Sequence, residues 1–112
     1  MPITAISRGD VYWVNLDPTI GSESRKTRPA VIISNHIQNK VSKRVIVIPV
    51  TSQIDSIYSF ETKVIVEGKA GKAMADQIRT IDKSRLKGYI GTISKIELKK
   101  LERAIKVALS LE

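Results

Sequence analysis

The order of hydrophobic and polar positions predicts a series of short strands. Residues 9–16 (GDVYWVNL) interleave apolar and polar positions and are rich in aromatic and β-branched side chains, which favours a strand. Residues 29–34 (PAVIIS) and 44–50 (RVIVIPV) are continuous apolar runs, typical of strands buried on both faces. Residues 62–67 (TKVIVE) and 73–81 (AMADQIRTI) are further candidate strands. Because no long helix separates them, we expect a small antiparallel barrel or sandwich.

Polar, turn-forming segments separate these strands. One polar loop covers residues 17–28, a second covers residues 52–61, and GKAGK (68–72) is expected to form a turn. Pro49 lies inside an apolar run and has no N–H to donate, so it marks an edge, a bulge or the end of its strand. Thr51 is therefore expected where that strand stops.

The end of the chain changes to a helical period. Ser94 and Glu97 form a capping-box pattern, in which each side chain accepts a hydrogen bond from a free backbone N–H of the first helical turn. The apolar residues that follow recur every three or four positions and form one stripe: Leu98, Leu101, Ala104, Ile105, Ala108 and Leu111. The fold class expected is mainly β (α+β), with a C-terminal amphipathic helix packed through this stripe.

Length and composition favour one compact domain. The chain has 112 residues, of which 42% are apolar, and we expect a single domain over residues 1–112. The longest apolar run, residues 45–50, is far shorter than the roughly 18 residues of a membrane span. The first ten residues lack the basic and apolar blocks of a secretory signal. We therefore expect no membrane association and a cytoplasmic location.

The charge balance favours an anionic partner. Nineteen Lys and Arg against 11 Asp and Glu leave a formal net charge of +8. Such an excess on a small surface favours contact with polyanions, and nucleic acid is the leading class. An acidic protein partner would be attracted by the same positive charge.

Several kinds of catalytic site are ruled out by the residues that are missing. The chain has no cysteine, which excludes disulfides and thiolate metal sites. His36 is the single histidine, expected in a loop after a strand, so a two-histidine acid–base pair cannot form within one chain. The carboxylates are scattered without a metal-binding spacing, and no phosphate-binding glycine loop is present. We expect no metal and no cofactor.

Arg28 is the most informative charged residue. Pro29 restricts the backbone of Arg28 to extended conformations, and the apolar run beyond gives the strand a rigid support. A fixed guanidinium can make two parallel hydrogen bonds to a phosphate. An ordinary solvated arginine stays an alternative, and Thr51 equally could be a strand-end hydroxyl that satisfies a turn.

Four segments together resemble one family: RGDVYWVNLDPTIGSE (8–23), TRPAVIISN (27–35), VIVIPVTSQ (45–53) and MADQIRTIDKSRL (74–86). Their order resembles the MazF/PemK group of bacterial toxins, the sequence-specific endoribonucleases of type II toxin–antitoxin systems. The resemblance implies a small SH3-like antiparallel barrel of the MazF/CcdB type that acts as a homodimer. It also implies metal-independent cleavage of single-stranded RNA, such as mRNA, to 2′,3′-cyclic phosphate and 5′-hydroxyl ends. The implied partner is an acidic MazE-like antitoxin that competes with RNA.

The resemblance also assigns roles to residues. The catalytic arginine and threonine of the family fall on Arg28 and Thr51, and the glutamate of its GSE segment falls on Glu23, the better candidate for carrying a proton. Loop residues that could contact RNA are the substrate-binding candidates: Ser22, Arg25, Lys26, Ser52, Gln53, Tyr58, Gln77 and Arg79. Residues 24–27 are more basic than the Gly- and Gln-rich loop associated with the family, which leaves the substrate preference open.

Two other functions are compatible with such a barrel. The first is a gyrase-poisoning toxin resembling CcdB, but those toxins end in Trp-Gly-Ile, whereas this chain ends at residues 109–112 in LSLE and its sole tryptophan is Trp13. The second is a non-catalytic RNA-binding barrel in which Arg28 merely contacts phosphate. Its binding would show a similar salt dependence, so only cleavage separates it from a nuclease.

Overall fold

The computed structural model describes residues 5–23 and 26–111, which form seven strands and two α-helices. The strands are β1 (Asp10–Asn15), β2 (Thr27–Ile32), β3 (Arg44–Thr51), β4 (Glu61–Val66), β5 (Lys69–Met74), β6 (Arg79–Asp82) and β7 (Leu86–Thr92). The helices are α1 (His36–Val41) and α2 (Lys95–Ala108). Short 3₁₀ turns lie at Ala75–Gln77 and Lys83–Arg85. No described helix is long and apolar enough to span a membrane.

The strands form one curled antiparallel sheet, a half-barrel, in the order β4-β5-β3-β2-β1-β7. Strand β3 is the longest and has three partners. One of its edges pairs with β2, and its other edge pairs first with β6, through residues 44–47, and then with β5, through residues 50–51. The expected mainly β architecture with a C-terminal helix is confirmed.

Pro49 lies at the point where β3 changes partner. It faces Ala30 of β2, but on the other edge of β3 the pairing with β6 ends at Val47 and the pairing with β5 begins at Val50. A proline is tolerated where a ladder is interrupted, because its missing N–H leaves no broken hydrogen bond there. Thr51 ends the strand, as expected.

Two buried clusters occupy opposite faces of the curled sheet. Val31 and Ile48 belong to the cluster that packs against α2, while Ile32 and Val47 belong to the cluster on the other face. All four side chains are completely buried. Alternate residues of the same strands therefore serve both cores, which is why the sequence shows continuous apolar runs there.

Helix α2 begins with the capping box expected from the sequence. The Ser94 hydroxyl accepts from the Glu97 N–H at 3.1 Å, and the Glu97 carboxylate accepts from the Ser94 N–H at 2.8 Å. The second carboxylate oxygen of Glu97 accepts from the Ile65 N–H at 2.7 Å, and Leu101 on the apolar stripe is fully buried. The cap therefore also ties the helix to β4.

Three expectations of local structure are wrong. His36 does not lie in a loop but begins α1, where the Asn35 side chain accepts from the Gln38 N–H at 2.9 Å. Residues 73–81 are not one strand, because the 3₁₀ turn interrupts them and lets the chain pass from β5 to β6. The turn expected at residues 68–72 is instead a two-residue hairpin loop at Glu67 and Gly68, both with positive φ.

Candidate active site

Arg28 and Thr51 line an open cleft of about 510 Å³. The loop after β1, the ends of β2 and β3, and strand β5 form its walls. Seven residues singled out in the sequence line it: Ser22, Glu23, Lys26, Arg28, Thr51, Gln53 and Gln77. Glu61, Lys72 and Met74, which the sequence did not single out, line it as well.

Strand pairing brings Arg28 and Thr51 together. The register of β2 and β3 places Ala30 opposite Pro49, the last pair of this ladder, and Arg28 and Thr51 each lie two residues from it. Both residues nevertheless line the same cleft. On its other side Arg28 is paired with Val14 of β1, so its backbone is held within the sheet.

Thr51 is also fixed from the side of β5. Its Cα partner there is Lys72, and its hydroxyl oxygen accepts from the Gln53 N–H at 3.3 Å. A Cβ on the neighbouring Gly71 would lie 2.9 Å from the Thr51 carbonyl oxygen and 2.9 Å from a Val50 methyl group. The absence of a side chain at Gly71 therefore permits the close approach of β5 to the end of β3.

The loop between β1 and β2 carries Glu23 to the cleft. Leu16 donates its N–H to the Lys26 carbonyl at 2.9 Å and closes the base of this loop. The Glu23 carboxylate accepts from the Ile20 N–H at 2.6 Å, and Lys26 adopts a positive φ of 65°. Arg25, another candidate, lies outside the described residues.

The loop between β3 and β4 is fixed by an ion pair. The Lys72 ammonium donates to Glu61 Oε1 at 2.9 Å and to the Ser56 carbonyl at 2.7 Å. The same carboxylate oxygen accepts from the Tyr58 N–H at 3.0 Å. The two charged side chains are only 12% and 7% exposed. Neither residue was a candidate, because their proximity depends on the register of β4 with β5, which the sequence does not display.

The remaining candidates lie around the cleft rather than in it. Ser52 lines an adjoining cleft of about 360 Å³ whose wall also contains Arg28 and Thr51. Arg79 donates to the Leu16 carbonyl at 3.1 Å and lines a third cleft that adjoins the first at Ser22, Glu23 and Gln77. Tyr58 is 59% exposed, and the Lys72 ammonium lies 5.8 Å from its ring centre.

The cleft combines cations, a hydroxyl and a carboxylate in a small space. Lys26 and Arg28 supply positive charge, Thr51 supplies a hydroxyl and Glu23 an exposed carboxylate, while Lys72 is paired with Glu61. Such a set is suited to an anion with several oxygen atoms, because guanidinium and ammonium groups donate charge-assisted hydrogen bonds. Within residues 5–23 and 26–111, no three His, Asp or Glu side chains are grouped so that they could hold a metal ion.

Residues 7–109 match the family described as PemK-like, MazF-like toxin of type II toxin-antitoxin system. The chain belongs to this toxin family. A relative, endoribonuclease MazF9 of Mycobacterium tuberculosis, is 40% identical over 93% of this toxin chain and 96% of its own length. The match extends over nearly the whole of both chains, so it includes every element that lines the cleft.

Solved structures agree with the family match. The crystal structure of MazF from Deinococcus radiodurans has a TM-score of 0.83, is 27% identical, and is matched over 94% of this toxin and 96% of that chain. An endoribonuclease in complex with its cognate antitoxin, from a mycobacterial species, has a TM-score of 0.81 and is 26% identical. The match covers 96% of this toxin and 98% of that chain. These matches do not favour the gyrase-poisoning or the non-catalytic alternative.

Proposed function

We propose that this chain is the toxin of a type II toxin–antitoxin pair and acts as a metal-independent endoribonuclease on single-stranded RNA, mRNA included. The observation that carries the proposal is the presence of Arg28 and Thr51 in one basic cleft. Its second support is the 40% identity to a relative named as an endoribonuclease. The expected products are a 2′,3′-cyclic phosphate and a 5′-hydroxyl.

The proposed reaction is an attack by the RNA on its own backbone. The 2′-oxygen forms a bond to the adjacent phosphorus while the bond from phosphorus to the 5′-oxygen breaks. Arg28 donates two hydrogen bonds to the scissile phosphate, and the Thr51 hydroxyl donates to a non-bridging oxygen, so both stabilise the charge that develops at phosphorus. The Glu23 carboxylate accepts the proton of the 2′-hydroxyl, and the departing 5′-oxygen takes a proton from solvent water.

The residues around the cleft are proposed to read the RNA sequence. Specific recognition of single-stranded RNA needs bases that are unstacked and contacted on their edges. Amide and hydroxyl groups can make such contacts, whereas lysine and arginine side chains favour the phosphates. We assign contacts with the RNA bases to Ser22, Ser52, Gln53 and Gln77. Contacts with the RNA phosphates are assigned to Arg25, Lys26 and Arg79.

The proposed protein partner is an acidic antitoxin. A structural neighbour of this chain is an endoribonuclease solved with its cognate antitoxin. The net charge of +8 would attract an acidic chain to the same basic cleft, where it would compete with RNA. We further propose that the toxin acts as a homodimer in the cytoplasm, where RNA and antitoxin are both present.

The decisive experiment incubates the purified protein with a long RNA in EDTA and maps the cut positions and their end groups. Cuts at a short recurring sequence, with 5′-hydroxyl and cyclic phosphate ends, are expected. Ends that bear a 5′-phosphate, or an absolute requirement for magnesium, would refute the mechanism. Intact RNA together with inhibited DNA gyrase would instead favour the gyrase-poisoning alternative.

A further inference from the structure

An exposed aromatic pair stands beside the cleft. The rings of Tyr58 and Phe60 are stacked, with their centres 5.4 Å apart and their planes inclined by only 5°. Tyr58 is 59% exposed although it is a large aromatic residue. Burial of an aromatic ring is favourable, and a flat exposed ring is a surface on which another planar group can stack.

The ion pair of Lys72 and Glu61 holds the backbone of the segment that carries these two rings. Glu61 accepts from the Tyr58 N–H at 3.0 Å, and Lys72 donates to the Ser56 carbonyl at 2.7 Å. Further backbone bonds join the Glu61 N–H to the Tyr58 carbonyl at 2.9 Å and the Ala75 N–H to the Phe60 carbonyl at 3.1 Å. The loop is therefore anchored on both sides of the aromatic stack.

The same ion pair is linked directly to the proposed catalytic residues. Lys72 is the Cα partner of Thr51 in the pairing of β5 with β3, and both line the cleft with Arg28. Glu61 faces Met74 across β4 and β5 and lines the cleft too. One short stretch of sheet thus sets the position of the aromatic rings relative to Thr51.

The burial of this pair favours a positioning role over a stabilising one. Two charges whose side chains are only 12% and 7% exposed lose much of their hydration, and their attraction often only offsets that loss. A buried pair adds little net stability but holds its partners in one geometry. The groups held here are the backbone of Ser56 and Tyr58.

We propose that Tyr58 and Phe60 form a subsite for one unstacked RNA base close to the scissile phosphate, and that Lys72, paired with Glu61, is a positioning residue for this subsite. The inference rests on the proposed function. Stacking on an aromatic side chain contributes about 1 to 3 kcal/mol per base, which corresponds to roughly a 5-fold to 150-fold change in affinity.

The test compares variants of the subsite with a matched control. Tyr58→Leu removes the exposed ring, Lys72→Met removes the ammonium, and Lys72→Arg keeps the charge. Glu102→Gln is the control, because it breaks the ion pair that Glu102 forms with Arg8, away from the cleft. Circular dichroism and urea unfolding would establish that each variant is folded.

Two readouts separate positioning from chemistry. The wild type first defines the cut sequence on a long RNA. Short RNAs of that sequence, carrying 2-aminopurine at successive positions and a 2′-O-methyl group at the cut, then report stacking without cleavage. We expect fluorescence quenching at one position with the wild type and Glu102→Gln, and weaker quenching with Tyr58→Leu and Lys72→Met. On cleavable RNA, KM should rise about 5-fold to 150-fold in these two variants while kcat changes less, and Lys72→Arg should recover part of the loss.

Several outcomes would overturn the inference. Wild-type KM and quenching in Tyr58→Leu, which changes an exposed ring, would refute the stacking subsite. A fall in kcat with unchanged quenching in Lys72→Met would place Lys72 in the chemistry instead of in positioning. A wild-type protein that cuts no RNA would refute the proposed function itself, and that result appears before any variant is made.

Discussion

Arg28 and Thr51 line the same two adjoining clefts, although they belong to different strands. The β2–β3 ladder ends two residues from each of them, Arg28 is paired with Val14 of β1, and Thr51 is paired with Lys72 of β5. Each residue is thus held by strand pairing rather than by a flexible loop. A sheet holds such groups more accurately than a loop does, which suits a site that must stabilise a developing charge.

Replacing Arg28 by alanine should nearly abolish cleavage. Loss of one preorganised donor typically lowers the rate by about 10² to 10³, because the charge at phosphorus then develops without its partner. Initial rates on a long RNA in EDTA measure the effect. Arg44→Ala, at the exposed start of β3, is a matched control and should cut at the wild-type rate. A wild-type rate in Arg28→Ala would refute the catalytic assignment.

Two substitutions at Thr51 separate the contribution of the hydroxyl from that of the branched side-chain shape. Thr51→Val keeps the branched shape but lacks the donor, so we expect a loss of about 10²-fold in kcat. Thr51→Ser keeps the hydroxyl and should retain most of the activity. Single-turnover rates at saturating RNA give the comparison, and equal activity of the Val and Ser variants would mean that Thr51 only closes the end of the strand.

A substitution at Gly71 tests whether the cleft depends on the close approach of β5 to β3. In Gly71→Ala the new Cβ would lie 2.9 Å from the Thr51 carbonyl oxygen, so one of the two strands must move. We expect a loss of about 1 to 3 kcal/mol in the free energy of unfolding, together with lower activity. Gly88→Ala is the control, since the new Cβ would lie 3.9 Å from its nearest neighbour, an atom of the Trp13 side chain. Urea unfolding and cleavage rates would show whether only the first variant suffers.

Gln77 tests base reading. Its amide lines the cleft, and a lost base contact weakens one sequence more than another. Gln77→Ala should therefore change which sequences are cut more than it changes the end groups or the maximal rate. Sequencing of cut ends from a mixed RNA pool gives the preference, with Gln38→Ala on α1 as the control. An equal loss on every sequence would argue against base reading.

Tyr12 should make the fold sensitive to alkali. Burial, followed by the nearby charge of Asp10 and by Tyr89, raises the pKa of the Tyr12 phenol above its ordinary 10.0. Above about pH 10 the unfolded chain releases this proton while the folded chain keeps it, so stability falls as pH rises through that range. The urea midpoint should fall between about pH 8 and about pH 11, and this fall should be smaller in Tyr12→Phe than in the wild type. Identical falls would contradict the assignment.

Several local elements could be predicted from the sequence because their causes are local. The runs that became β2 and β3 are apolar on both faces, and Ser94 with Glu97 start α2 through contacts within one turn. Arg28 could be singled out since Pro29 follows it directly. Helix α1 escaped notice because it is only six residues long and depends on Asn35 as its cap.

Which residues meet depends on how the strands pair and pack. Glu61 and Lys72 become an ion pair through the register of β4 with β5, and Thr51 gains Lys72 as a neighbour through the pairing of β5 with β3. Pairing register is set by the packing of whole faces against two cores, and shifting it by one residue would turn every side chain to the opposite face. A linear pattern can thus identify strands β1 to β4 and the arginine, but it missed β7, and the cleft arises only when the strands are placed side by side.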